Sequence, residues 1–224
     1  MWLTERTLDS WAAAHILRLA PTAYVWCPTS NEQAFQPGLP LINQILGNSS
    51  FPYDLISGGG ALKLFVIEDK GLGHYDDTSG RITIDIEQFV ALRLLNRVGG
   101  ANDWVFYGVP APDLAGHVHG GFLPSAAKLE ASFGSWQLAL TPDELSTLCG
   151  RGPLEKLSQA GISVDPTRQA KQGGPYRSFG QLLAQVKGCT AGLPITRDTE
   201  PNLPTLQLEH KAVLSATWVV VPVP

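Results

Sequence analysis

Charge is scarce in this chain. Asp, Glu, Lys and Arg supply 16% of its 224 residues, against about a quarter in ordinary soluble domains. The net charge of −4 does not mark a protein that gathers nucleic acid by bulk attraction. Cysteine is scarcer still: Cys27, Cys149 and Cys189 are odd in number and far apart. That excludes a disulfide framework and a C-x-x-C zinc site. A reduced, cytoplasmic protein with buried, inert thiols is the expectation. No apolar run approaches the roughly 20 residues that cross a bilayer, so no membrane partner is expected. The opening MWLTERTLDSW carries acids and lacks the basic-then-apolar layout of a secretory signal.

Hydrophobic residues, by contrast, reach 44%, and 224 residues suffice for a sizeable core. One large domain, or one domain with an appendage, fits that length. Twenty-three glycines and 17 prolines predict many turns. Charge is unevenly spread: residues 1–150 balance to −7 and residues 151–224 to +3. The asymmetry turns the C-terminal part toward an anionic partner, unless it reflects only scattered solvating charge.

Apolar spacing predicts a helix over 4–19, with Leu8, Trp11, Ala12, Ile16 and Leu19 on one side. TAYVWC at 22–27 is β-prone. Thr29 and Glu32 have capping-box spacing for a helix that Pro37 and Pro40 interrupt before Gly47. Strands are expected at 51–57 and 61–71, joined as a hairpin through Gly58–Gly60. RITIDI at 81–86 is a short strand or a helix approach, 87–99 a helix, 103–112 a strand and 135–140 another strand. Thr141 and Glu144 repeat the capping-box spacing. Helices at 153–161 and 178–188 and a terminal strand or strand pair from 203 complete an α/β pattern.

Residues 64–71 read LFVIEDKG. Four apolar residues run into Glu68, Asp69 and Lys70 before a glycine. Strand ends commonly reach the surface, and surfaces are charged. Yet Glu68 and Lys70 share one face of a strand, and a carboxylate beside an ammonium at a buried strand end can hold a metal ion and orient a water.

The surrounding order matters as well. Asp54 precedes Glu68-x-Lys70 on the first hairpin arm, a helix with Gln88 follows, and then the strand WVFYGVP. Over roughly residues 30–112 this resembles the restriction-endonuclease-like, or PD-(D/E)xK, nuclease superfamily. Tyr53 splits the Pro52–Asp54 pair, and the two prolines disturb the helix carrying Glu32. The resemblance implies a central mixed sheet with a catalytic hairpin, flanked by helices, over residues 1–125. A C-terminal α+β extension over 126–224 follows, separate or packed with the core. It implies catalytic roles for Asp54, Glu68, Lys70 and Gln88, with Glu32 as an acid from the first helix. Mg²⁺ or Mn²⁺ would be held by Asp54, Glu68 and the backbone carbonyl of Asp69, whose side chain faces the other way. Hard oxygen ligands suit such an ion, which polarises a phosphoryl oxygen and acidifies a bound water. The implied function is metal-dependent hydrolysis of DNA, with RNA left open, in a defence or mobile-element setting. The alternative is an inactive nuclease-fold scaffold that binds nucleic acid or a protein partner, a second copy of the chain included.

Residues 151–187 carry six basic residues against Glu155 and Asp165. Arg168, Lys171, Tyr176 and Arg177, in and beside a glycine-containing loop, are the expected nucleic-acid contacts. Other clusters carry less. His74, Asp76 and Asp77 read as a solvated loop, and His117-x-His119 lacks a third zinc ligand nearby. The glycines at 58–60 lack the lysine of a phosphate loop, and Glu209-x-Lys211 is followed by no helix.

Overall fold

The computed structural model describes residues 5–26, 61–70, 82–98, 101–110, 137–149, 161–164, 177–195 and 216–223. Its centre is the strand β2 (Ala61–Asp69), buried from Leu62 onward. Successive side chains of a strand point to opposite faces, and β2 is covered on both. Leu62, Leu64 and Val66 join one apolar cluster, Phe65 and Ile67 the other. Burial on two faces is why the run reads as continuously apolar instead of alternating.

Around β2 lie β1 (Tyr24–Trp26), β4 (Val105–Pro110), β5 (Gln137–Leu140), β7 (Arg177–Ser178), β8 (Leu193–Ile195) and β9 (Thr217–Val223). The sheet order is β1-β9-β2-β4-β5-β7, with β8 paired to the first half of β2. Only the β2–β4 pair is parallel among these ladders. A second, two-stranded sheet joins β3 (Ile82–Asp85) to β6 (Gly161–Val164).

Four described helices cover the large sheet. On one face, α1 (Glu5–Leu19) offers Leu8, Ala12 and Ile16, and α4 (Phe179–Lys187) offers Phe179, Leu182, Leu183 and Val186. On the other, α2 (Ile86–Val98) offers Ile86, Phe89, Leu92 and Leu95, and α3 (Pro142–Cys149) offers Leu145. These are the i, i+3, i+4 spacings of a helix with one apolar stripe. Helix starts are chemically marked. Thr141 and Glu144 form a capping box at α3, with Thr141 N donating to Glu144 Oε2 at 2.7 Å. Ser178 and Gln181 form another at α4. None of the described helices is long and apolar enough to cross a membrane.

Several expectations need correction. The antiparallel neighbour running the length of β2 is β9, from the far end of the chain. On its other edge β2 pairs with β8 and then β4. The strand expected at 51–57 as a hairpin partner lies outside the described residues, as does the helix at 30–47. The segment 126–224, expected as an extension either separate or packed with the core, supplies β5, β7, β8 and β9 of the central sheet. Gly161, expected to end a helix, opens β6. Cys189 is exposed instead of buried, because it follows α4 in a left-handed conformation (φ 60°) outside the packed stripe.

Asn96 fixes α2 against β4. Its Oδ1 accepts from the backbone N–H groups of Trp104 and Val105, each at 2.9 Å, and its Nδ2 donates to Asp103 at 2.8 Å. Asn96→Leu keeps the size but strands two buried donors, each costing about 1–3 kcal/mol. Urea unfolding should show a loss of about 2–5 kcal/mol; a loss below about 0.5 kcal/mol would mean that this bond set does not hold α2 in place.

Candidate active site

The alternation of β2 does not stop at its last apolar residue. Glu68 and Lys70 point to the α2 face and Asp69 to the α1 face. All three are buried, at 4%, 5% and 2% exposure, which overturns the reading of a strand surfacing in charge. The backbone N–H of Lys70 donates to Gly108 O at 2.8 Å, continuing the contact with β4 one residue beyond β2.

On the α2 face, Lys70 Nζ donates to Glu68 Oε1 at 2.7 Å and to Gln88 Oε1 at 2.8 Å. An ammonium only donates, so it fixes which end of the Gln88 amide faces it. Gln88 stands in the first turn of α2, and its backbone N–H donates to Asp85 Oδ1 at 2.9 Å. That is an N-cap, and it sets the turn from which Gln88 reaches the lysine. Glu68 sits beside Tyr107 in the β2–β4 register, and Tyr107 stacks with Phe89 of α2. The cluster thus combines one carboxylate, one ammonium and one amide within an apolar wall. Desolvating an ion pair costs several kcal/mol per ion, and it persists only where hydrogen bonds are complete.

Across the sheet, Gln137 Nε2 of β5 donates to Asp69 Oδ1. The contact passes over Gly108, where a Cβ would clash with both partners and lie 3.1 Å from Asp69 Cγ. Burial, then the neighbouring Asp9 of α1, then Glu68, hold the Asp69 carboxyl well above the usual carboxylate range; the Gln137 bond opposes them.

Of the residues expected at the site, Glu68, Lys70 and Gln88 meet. Asp54, Glu32, Arg168, Lys171 and Tyr176 lie outside the described residues, as do His74, Asp76, Asp77, His117, His119, Glu209 and Lys211. Among the described residues no three His, Cys, Asp or Glu side chains group as metal ligands. Asp85 escaped the sequence reading, although an Asp three residues before Gln88 at a helix start is itself an N-cap signal. Asp9, Gly108 and Gln137 gave no local signal. Arg177, expected at a phosphate, is half-buried. Its guanidinium forks onto Glu144, with Nη1 2.9 Å from Oε2 and Nη2 on Oε1, and lies 5.7 Å from the centre of the Phe106 ring.

Two outcomes test this arrangement. Glu68→Ala and Lys70→Ala each leave a buried charge unpaired and should destabilise by about 3–5 kcal/mol, whereas the double change Glu68→Leu, Lys70→Met should recover most of that loss. Chemical unfolding of the three variants reads the cycle, and additive losses would show that the pair is not a unit.

Asp69 gives a pH signature in metal-free buffer. Its folded pKa is raised, so the folded state binds more protons. Its contribution is complete below the unfolded carboxyl value of about 3.9 and is lost as pH rises through the folded value. Asp69→Asn should remove this fall, which reaches up to about 1.4 kcal/mol per pH unit while one proton is released. Parallel stability–pH curves for wild type and variant would refute it.

No family model, curated protein or solved structure matches this chain, so the meaning of the Glu68–Lys70–Gln88 cluster rests on its own geometry.

Proposed function

We propose that the Glu68–Lys70–Gln88 cluster is the catalytic centre of a metal-dependent nuclease that hydrolyses phosphodiester bonds of DNA, with RNA as the other candidate substrate. The observation that carries this reading is the convergence itself. The Lys70 ammonium donates at 2.7 Å to Glu68 on the same strand end and at 2.8 Å to the amide of Gln88, 18 residues later on a helix. That composition suits an anionic substrate attacked by water, and Glu68 and Lys70 stand at the spacing of a (D/E)xK pair.

Of the described side chains, Glu68 is the hard oxygen donor that fits Mg²⁺ or Mn²⁺ here; in this reading Asp54 and the Asp69 carbonyl complete the set. When bound, the ion polarises a phosphoryl oxygen and lowers the pKa of a bound water. Lys70 supplies a fixed positive charge for the charge that develops on the phosphoryl oxygens, or orients the attacking water. Gln88 holds the lysine, and Asp85 holds the turn that carries Gln88. Arg168 and Lys171 meet backbone phosphates and Tyr176 stacks on a base. Arg177 leaves that set because Glu144 already holds it. The protein works in the cytoplasm, where nucleic acid is its partner.

One observation favours a second reading. Glu68, Lys70 and Gln88 are each at most 6% exposed, which suits an ionic cluster kept for structure in an inactive scaffold that binds nucleic acid or a protein.

Incubation of the full chain with supercoiled plasmid and labelled single- and double-stranded DNA and RNA, with Mg²⁺ or Mn²⁺, separates the readings. Cleavage should fall at least about 100-fold in Lys70→Met and in Glu68→Gln, and the losses should not add in the double variant. Undiminished cleavage by folded double variant, or no cleavage by wild type with retained nucleic-acid binding, would leave the scaffold.

A further inference from the structure

The strand end that carries Lys70 has few backbone ties. Among the described residues the last β2–β9 pair is Ile67–Thr217. Toward β4, the Lys70 N–H donates to Gly108 O at 2.8 Å. In a parallel ladder the next bond would run from the N–H of residue 110 to the Lys70 carbonyl. That residue is Pro110, which has no N–H. The ladder therefore stops at Lys70 for a chemical reason. The last bond of a ladder is where a strand opens most easily, yet this one sets the backbone from which Lys70 reaches Glu68 and Gln88.

A side-chain tie takes over where the ladder stops. β4 lies between β2 and β5 in the sheet. Gln137 of β5 is paired with Pro110 and reaches over Gly108 to donate from Nε2 to Asp69 Oδ1. Both side chains are buried. A Cβ at position 108 would clash with both, so the glycine is what leaves their path open. Asp69 directly precedes Lys70, so a hold on its side chain restrains the peptide that joins them. That peptide is trans. With its N–H on β4, its carbonyl points away from β4, to the side where the β9 pairing has ended.

We propose that Gln137 is a positioning residue: through Asp69 it straps down the end of β2, so that Lys70 and the Asp69 carbonyl keep their places in the catalytic centre. The catalytic part of this inference rests on the nuclease reading above; the strap itself does not. Gln137 acts from the opposite face of the sheet, and from a strand that sends no side chain to the Glu68–Lys70–Gln88 cluster. It therefore governs where the reacting groups stand without touching substrate.

Backbone hydrogen exchange of the full chain in chelator-treated buffer, followed by NMR, reads the strap apart from activity. Val66 is the internal reference, because its N–H donates to Trp104 O at 2.8 Å in the same pair of strands. In wild type the protection of the Lys70 amide should lie within about tenfold of that of Val66. In Gln137→Leu, which keeps the bulk and removes the donor, Lys70 exchange should rise at least about tenfold relative to Val66. With Mg²⁺ and labelled DNA, the same variant should lose at least about tenfold in kcat at little changed KM, since the reacting groups move and the substrate contacts do not. A wild-type Lys70 amide exchanging more than about 100-fold faster than Val66 would overturn the strap even if Gln137→Leu fails to fold. An equal rise at Lys70 and Val66 in Gln137→Leu would show general destabilisation and overturn it too, and released exchange with unchanged kcat would overturn the positioning role. Selective release of Lys70 in a chain whose wild type cuts nothing would uphold the strap and sink the nuclease reading alone.

Discussion

The constraint on which this fold depends is that β2 is buried on both faces while running into three consecutive ionisable residues, Glu68, Asp69 and Lys70 just past its end. A strand flanked on both edges and both faces has no solvent side to which it can turn a charge. Its alternation must therefore deliver Glu68 and Lys70 to one helical layer and Asp69 to the other. Each layer has then to furnish partners. The α2 layer furnishes Gln88, and through Asp85 the turn that holds it. The α1 layer faces Asp69 with Asp9, while β5 sends Gln137 across the space above Gly108. Neither centre is local in sequence, and a one-residue slip of β2 would exchange them.

What could be read in advance follows the range of the interaction. Helix α1, strand β2, the helix bearing Gln88, the capping box at Thr141 and helix α4 depend on residues within a turn or two of one another. They emerge near the expected positions. The pairing of β9 with β2 joins residues about 150 apart in the sequence. TWVVVPV is visibly a strand, but nothing in it states which neighbour it takes. Short strands such as Arg177–Ser178 and Leu193–Ile195 exist because a sheet edge receives them, not because of propensity.

The same division runs through the site. Glu68-x-Lys70 was legible because strand periodicity alone puts both side chains on one face. Gln88 was legible only through a family likeness, and Asp85 was missed although its place before a helix is a capping signal. Arg177 looked like a free phosphate contact because its loop is basic. Its partner Glu144 sits 33 residues earlier, engaged at the same time in the α3 capping box. A charge count along the chain cannot distinguish a guanidinium held in a fork from one facing solvent.

The two faces of β2 also differ in how their charge is balanced, and that difference separates what each can do. On the α2 face the balance is internal: Lys70 neutralises Glu68, and the amide of Gln88 takes a further ammonium proton. Any metal bound to Glu68 must compete with Lys70 for the same carboxylate. Metal affinity and lysine position are therefore coupled, as they would be in a site where both act on one phosphate. On the α1 face Asp69 is held differently: burial and the neighbouring Asp9 raise its pKa, and the Gln137 donor opposes them. β2 thus presents an ion pair to one helical layer and a carboxyl of raised pKa to the other, one residue apart.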